Sequence, residues 1–177
     1  MKYVLLFALA LMASSSSYAQ DSGGTGHSPQ FGVFLGRTLP HGISVNDDIF
    51  TQWGVRYSQP MGKSDKGGGG IFADLSLISG NGSSVHWAGA ALDASMQAAV
   101  ETLIVCVGLG VDFTEYSSDK TTQKFVVGEH FIGGVMSRLG ESTLLRFDMK
   151  FNANPGTTVF FGLGVVFEFN GSSGGGT

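Results

Sequence analysis

The sequence predicts an all-β fold, an eight-stranded antiparallel up-and-down transmembrane β-barrel. Three observations carry that prediction. Segments of about ten residues alternate apolar with polar or small side chains at a period of two, and eight of them follow one another. Glycine is abundant, 28 of 177 residues, and within these segments it keeps almost entirely to the phase opposite the hydrocarbon. Charged residues make up only 14%, well below the roughly one quarter usual in a soluble domain.

Ahead of the strands, Lys2, an apolar run over residues 3–12 and the small-residue step Ser17-Tyr18-Ala19 form an export signal, residues 1–19, with cleavage expected before Gln20. The run is too short for a transmembrane helix, and no eighteen consecutive apolar residues follow it. Any membrane must therefore be crossed by strands. Cleavage after Ala19 leaves 158 of the 177 residues, with nine basic against 14 acidic. Mild acidity without a basic cluster argues against a nucleic-acid partner. The single cysteine, Cys106, cannot form an intramolecular disulfide. Residues 20–30 are a polar, glycine-rich lead-in without periodicity, expected to be flexible.

The barrel is expected over residues 31–169. Residues 31–38 set Phe31, Val33 and Leu35 against Gly32, Phe34 and Gly36; residues 39–47, with Pro40 and Gly42, read as a loop. Residues 48–58 set Ile49, Trp53, Val55 and Tyr57 against Gln52, Gly54, Arg56 and Ser58. After a Pro- and Gly-rich connection, residues 70–79 alternate Ile71, Ala73, Leu75 and Leu77 with Phe72, Asp74, Ser76 and Ile78. Residues 79–84 are a short hairpin loop. Residues 85–97 are rich in alanine and would also suit a helix. Read as a strand, they oppose Ala88, Ala90, Leu92, Ala94 and Met96 to Trp87, Gly89, Ala91, Asp93 and Ser95.

The second half is clearer. Residues 102–114 set Leu103, Val105, Val107, Leu109, Val111 and Phe113 against Ile104, Cys106, Gly108, Gly110 and Asp112. Beyond a polar loop at 115–121, residues 122–137 oppose Phe125, Val127, Phe131 and Val135 to Lys124, Val126, Gly128, His130, Ile132 and Gly134. Glu129 falls on the apolar phase and reads as a bulge or a change of phase. Residues 142–152 set Leu145, Phe147, Met149 and Phe151 against Leu144, Arg146, Asp148 and Lys150. A turn at 152–156 leads to the closing strand, residues 157–169, and a Gly/Ser-rich tail covers 170–177.

Alternation alone does not separate a membrane barrel from a soluble one, because only the direction of the apolar face differs. A mid-strand glycine gains nothing on a solvated exterior, whereas inside a narrow bore it makes room for a large neighbour. The opposite face also carries both signs of charge: Arg56, Asp74, Asp93, Asp112, Lys124, Arg146, Asp148, Lys150 and Glu168. Pointing inward, they must pair, because an unpaired buried charge is too costly. The hairpin registers place Asp112 opposite Lys124, and Arg146 between Gly134 and Gly164. Trp53, Tyr57 and Phe169 are candidate interfacial anchors.

The closing Val159-to-Phe169 stretch, Gly108-Leu109-Gly110-Val111-Asp112-Phe113 and Leu144-Leu145-Arg146-Phe147-Asp148-Met149-Lys150-Phe151 resemble the small eight-stranded outer-membrane barrels of the OmpA/OmpX/Opa kind. The resemblance is one of pattern. It implies a Gram-negative outer-membrane location, periplasmic termini and contact with outer-membrane lipid and lipopolysaccharide. It also implies a terminal aromatic signal, here Phe167 and Phe169, read by the barrel-assembly machinery. The chain departs from the pattern in running eight residues past Phe169.

Lipid A deacylase barrels carry a His-x-Ser pair on a late strand, where this chain reads Arg146-Phe147-Asp148. The histidines of the mature chain, His27, His41, His86 and His130, are scattered, and Gly108-x-Gly110 lacks the rest of a dinucleotide loop. No cofactor, metal or catalytic residue is expected. The expected role is structural or surface-interacting, with a narrow pore for small amphipathic molecules or a lipid-modifying enzyme as alternatives. The sequence does not set the oligomeric state.

Overall fold

The computed structural model describes residues 28–41, 49–61, 70–82, 85–118, 121–153 and 157–169. Eight strands follow in chain order: β1 (Gln30–His41), β2 (Phe50–Pro60), β3 (Gly70–Asn81), β4 (Val85–Val100), β5 (Leu103–Ser118), β6 (Thr121–Arg138), β7 (Thr143–Asn152) and β8 (Thr157–Glu168). Each pairs antiparallel with the next, and β8 returns to pair with β1, closing the barrel. Both described chain ends lie at one mouth, here called proximal, where Phe169 N donates to Pro29 O. The expected signal at 1–19 and the tail at 170–177 lie outside the described residues.

The orientation is that of a transmembrane barrel. Leu109 and Leu163 point outward with 66% and 57% of their surface exposed, while Arg146 and Asp148 point inward with 3% each. The exposed belt is hydrocarbon on every strand, and the buried face holds most of the charge. Water would favour the reverse, so the surroundings that this pattern fits are lipid.

Several expectations need correction. Gln30, assigned to the lead-in, is buried and belongs to β1, paired with Ser58 and Glu168. Leu39, Pro40 and His41, expected in a loop, continue β1 along β8. The β2 ladder has already ended at Thr38↔Phe50, so a proline there interrupts pairing on one side at most. The alanine-rich segment is a strand, because its two neighbours satisfy its backbone along its whole length. No bulge occurs at Glu129, which continues the β5 ladder opposite Val111 and points outward; the β5–β6 irregularity falls instead between Tyr116 and Ser118. The strands also continue through most of the expected 115–121 loop, to Ser118 and Thr121, so the register centres later: Asp112 faces Gly128, and Lys124 faces Tyr116. The β6–β7 register is also two residues off the expected one, so that Asp148, rather than Arg146, lies opposite Gly134. The β7–β8 register has Arg146 opposite Gly164 and Asp148 opposite Gly162, as expected.

Glycine is required most at the β1–β8 seam, where Gly36 faces Gly162. A Cβ on Gly36 would meet Phe160 Cε2 at 2.5 Å and Gly162 Cα at 2.6 Å, and would strike Phe161 O. The missing side chains let two backbones and the ring of Phe160 share one place. Gly36→Val is expected to cost about 1–3 kcal/mol through overpacking, seen as a lower urea midpoint of the refolded barrel. An unchanged midpoint would mean that the seam has slack.

Candidate functional site: the filled bore

The inward phase of each strand stacks side chains along the axis, so strand order gives the order of layers. From the proximal end, β7 contributes Leu144, Arg146, Asp148 and Lys150; β5 contributes Cys106, Gly108, Gly110, Asp112, Thr114 and Tyr116. At the proximal mouth, Gln30 and Gln97 exchange side-chain hydrogen bonds at 3.2 and 3.3 Å. Glu168 lies beside them, accepting from Gln30 and pairing with Arg138 at 2.8 Å. Above this clasp sits an apolar layer of Cys106, Met136, Leu144 and Val166.

The next layer is ionic. Asp148 receives Arg56 Nη1 at 2.9 Å and Arg146 Nε at 2.8 and 3.0 Å. Gly134 and Gly162 flank Asp148 in the neighbouring strands, and a Cβ on Gly134 would come within 2.5 Å of Asp148 Oδ1. The glycine slot anticipated for Arg146 thus accommodates its carboxylate partner. Arg56 also donates to Ser76 Oγ at 3.2 Å and lies over the Phe34 ring at 5.4 Å. Asp74 accepts from Ser95 through Oδ2, while its Oδ1 has no hydrogen-bond partner among the described residues.

Farther along, Asp112 takes Lys150 Nζ at 2.6 Å and lies 2.9 Å from His130 Nδ1, off the line of a hydrogen bond. The other ring nitrogen of His130 contacts Asp93 Oδ1. Because its two nitrogens face different carboxylates, these groups do not converge on one point. No such cluster among the described residues is disposed to hold a metal ion. Four cationic side chains (Arg56, Arg146, Lys150 and His130 when protonated) face four carboxylates (Asp74, Asp93, Asp112 and Asp148), all eight buried. Charge balance is complete only with the imidazolium.

The distal layer is aromatic. Phe50 meets Trp87 edge-on with centroids 5.1 Å apart, and Tyr116 lies 6.3 Å beyond. Gly80 and Gly82 leave room for these rings, since a Cβ on either would collide with Trp87 or Phe50. Between the ionic layers, Phe34 and Phe160 pack edge-on at 5.9 Å. Two voids of about 10 Å³ each flank Arg56 and Phe34, enough for a water molecule and nothing larger.

Of the singled-out residues, Arg56, Asp74, Asp93, Asp112, Arg146, Asp148 and Lys150 are buried in the bore, and Glu168 lines its proximal mouth. The side chain of Lys124 lies outside the described residues, although its backbone belongs to β6. Trp53 is 52% exposed on the outer face, and Tyr57 is half-buried with its hydroxyl on Gln59 Oε1 at 2.7 Å. Phe167 is outward on β8 between Phe31 and Thr143; Phe169 falls one residue beyond the strand and is exposed. The Gln30–Gln97 clasp was not anticipated. Its signal was phase alone, since Gln97 extends the inward series of Asp93 and Ser95.

No protein-family model matches the chain, and no curated protein matches it. Solved structures do. The N-terminal β-barrel domain of Pseudomonas aeruginosa OprF superposes with a TM-score of 0.64 at 16% identity, covering 81% of this chain and 98% of that one. Neisserial surface protein A matches with a TM-score of 0.55 at 12% identity over 84% of this chain and 100% of its own. The outer-membrane enzyme PagL matches with a TM-score of 0.53 at 8% identity over 79% and 99%. The chain therefore has the fold of the small eight-stranded outer-membrane barrels, and at these identities the likeness concerns fold alone.

Asp148→Ala would leave Arg56 and Arg146 without their shared carboxylate, at an expected cost of about 3–5 kcal/mol. Arg138→Ala, at the exposed rim, is expected to cost under about 1 kcal/mol. Urea unfolding in micelles measures both, and equal losses would refute this hierarchy.

Proposed function

We propose that this chain is an integral barrel of the outer membrane with a structural or surface-interaction role and a side-chain-filled interior. The observation that carries this reading is inverted burial: an exposed hydrocarbon belt around a bore in which seven ionisable groups contact one another as ion pairs and Asp74 accepts from Ser95. On this reading the belt contacts outer-membrane lipid and lipopolysaccharide. The proximal mouth is periplasmic, and the chain reaches the membrane through a cleaved signal at 1–19. Phe167 and Phe169 are the residues offered to the barrel-assembly machinery, and Trp53 and Tyr57 anchor at the interfaces.

A non-enzymatic role is supported by what occupies the places where chemistry would be sought. His130 is held between two aspartates rather than beside a serine, and β7 presents Arg146 and Asp148 to each other and Lys150 to Asp112. A nucleophile–base pair needs a hydroxyl or thiol within reach of the base and access to substrate, whereas His130 is buried with a carboxylate beside each ring nitrogen. A pore is disfavoured because an open path would have to break the Gln30–Gln97 clasp, the Arg56–Asp148 pair and the Phe50–Trp87 contact together.

Expression in a Gram-negative host should place the mature chain in the outer-membrane fraction, migrating faster folded than boiled on a gel. Recovery in the soluble periplasmic fraction would overturn the membrane reading. In planar bilayers the folded barrel is expected to leave the baseline conductance unchanged, and reproducible steps would revive the pore.

A further inference from the structure

Two charged side chains interrupt the outward apolar rows. Arg37 on β1 stands between Leu35 and Leu39, and Glu129 on β6 between Val127 and Phe131; all six are exposed. Hydrocarbon thus continues both proximal and distal to each charge, so neither marks the end of the belt. Glu115, near the distal end of β5, is the other outward charge among the described side chains of the strands. Among the described residues, the side chain of Arg37 has one hydrogen-bond partner, the neutral Thr51 Oγ1 at 2.9 Å. Across the ladder, Glu129 faces Val111, and Ala153 N donates to its backbone oxygen. A charge facing lipid is costly and calls for a counter-charge.

The two stand at the same height. Arg37 pairs with Phe161, Phe161 with Met149, and Met149 with Gly133, so one ladder row joins β1 to β6. Such rows are oblique, because the strands of a barrel tilt against its axis. Continued through Val107 and Met96, this row ends at Met61, beyond the proximal foot of β2. It falls by roughly the height of the barrel in one circuit, and by about four residues over the three steps to β6. Glu129 lies four residues distal to Gly133, which restores the level of Arg37.

We infer that Arg37 and Glu129 form a lateral contact between copies of this chain, the arginine of one barrel meeting the glutamate of the next. This rests on the membrane reading above. Copies inserted through one pathway share orientation and depth, so any rotation about the membrane normal keeps the two charges level. Because the two sites lie on different strands, the contact is heterologous and propagates into arcs or rings rather than closing as a two-fold dimer. Opposite charges in lipid surroundings attract far more strongly than in water, and this pairing also relieves each barrel of an unmatched charge.

The test uses the full mature chain, carrying donor or acceptor dye on a cysteine introduced at exposed Glu141, in phosphatidylcholine vesicles. Heat-modifiable migration verifies folding of every variant, and wild type failing that check would count against the membrane reading rather than the contact. Energy transfer between copies is expected above the random-proximity level. Arg37→Glu alone and Glu129→Arg alone should each weaken association roughly tenfold or more, and the double exchange should restore it. Random-level transfer in the folded wild type would overturn the proposal, with headgroups then satisfying the charges. Insensitivity to the single exchanges, or failure of the double exchange to restore transfer, would overturn it equally.

Discussion

Closure of β1 on β8 is the constraint from which the rest follows. In a bilayer no water reaches the backbone, so each strand must find its hydrogen-bond partners in other strands, and an unclosed sheet would leave two edges unsatisfied. The seam runs from Gln30↔Glu168 to His41↔Thr157. At Gly36 and Gly162 it has no room for a Cβ, because two strands and the ring of Phe160 converge there. Once closed, an eight-stranded barrel has a bore just wide enough for side chains. Composition then has to solve two problems with opposite signs, hydrocarbon outside and a packed, neutral filling inside.

The filling is solved by alternating types of layer. Ionic layers alone would carry a large desolvation cost, and apolar layers alone would do little to define which residues meet across the bore. Here the ionic groups are interleaved with apolar ones: the Cys106–Met136–Leu144–Val166 layer below Asp148, and the Phe34–Phe160 ring pair between the two ionic groups. Inside such boundaries the charge pairs are shielded from water and are correspondingly strong, but also costly to break singly. Asp148 serves two arginines, so its loss strands both.

The strands and their facing were legible in sequence because both depend on period-two alternation, a local property. Trp53, Leu109, Phe147 and Leu163 could be placed outward, and Arg146 and Asp112 inward, without knowing any partner. Partners depend on register, and register is set at turns. The β5 and β6 strands run on to Ser118 and Thr121 instead of ending before a loop at 115–121. This later turn, with a one-residue irregularity near Tyr116 and Ser118, puts Asp112 opposite Gly128 rather than Lys124. Pairs across the bore depend in addition on the tilt of the strands. Arg56 reaches Asp148 from far along the chain, and Lys150 reaches Asp112 from β7, through a geometry that no hairpin rule contains. Glu129 shows the converse: its plain phase was correct, and the expectation of a bulge arose because a charge on the lipid face looked like an error.

An outward charge is informative for the reason that made it look wrong. Inside the bore, Arg56 or Lys150 has a partner within the same chain, and folding alone accounts for it. Outside, neither Arg37 nor Glu129 has an ionic partner among the described residues, so no ion pair described within the chain accounts for either. Their opposite signs, common height and separation onto different strands leave each barrel with a complementary pair that it cannot join by itself. What the single chain leaves unpaired, a neighbour in the same membrane can supply.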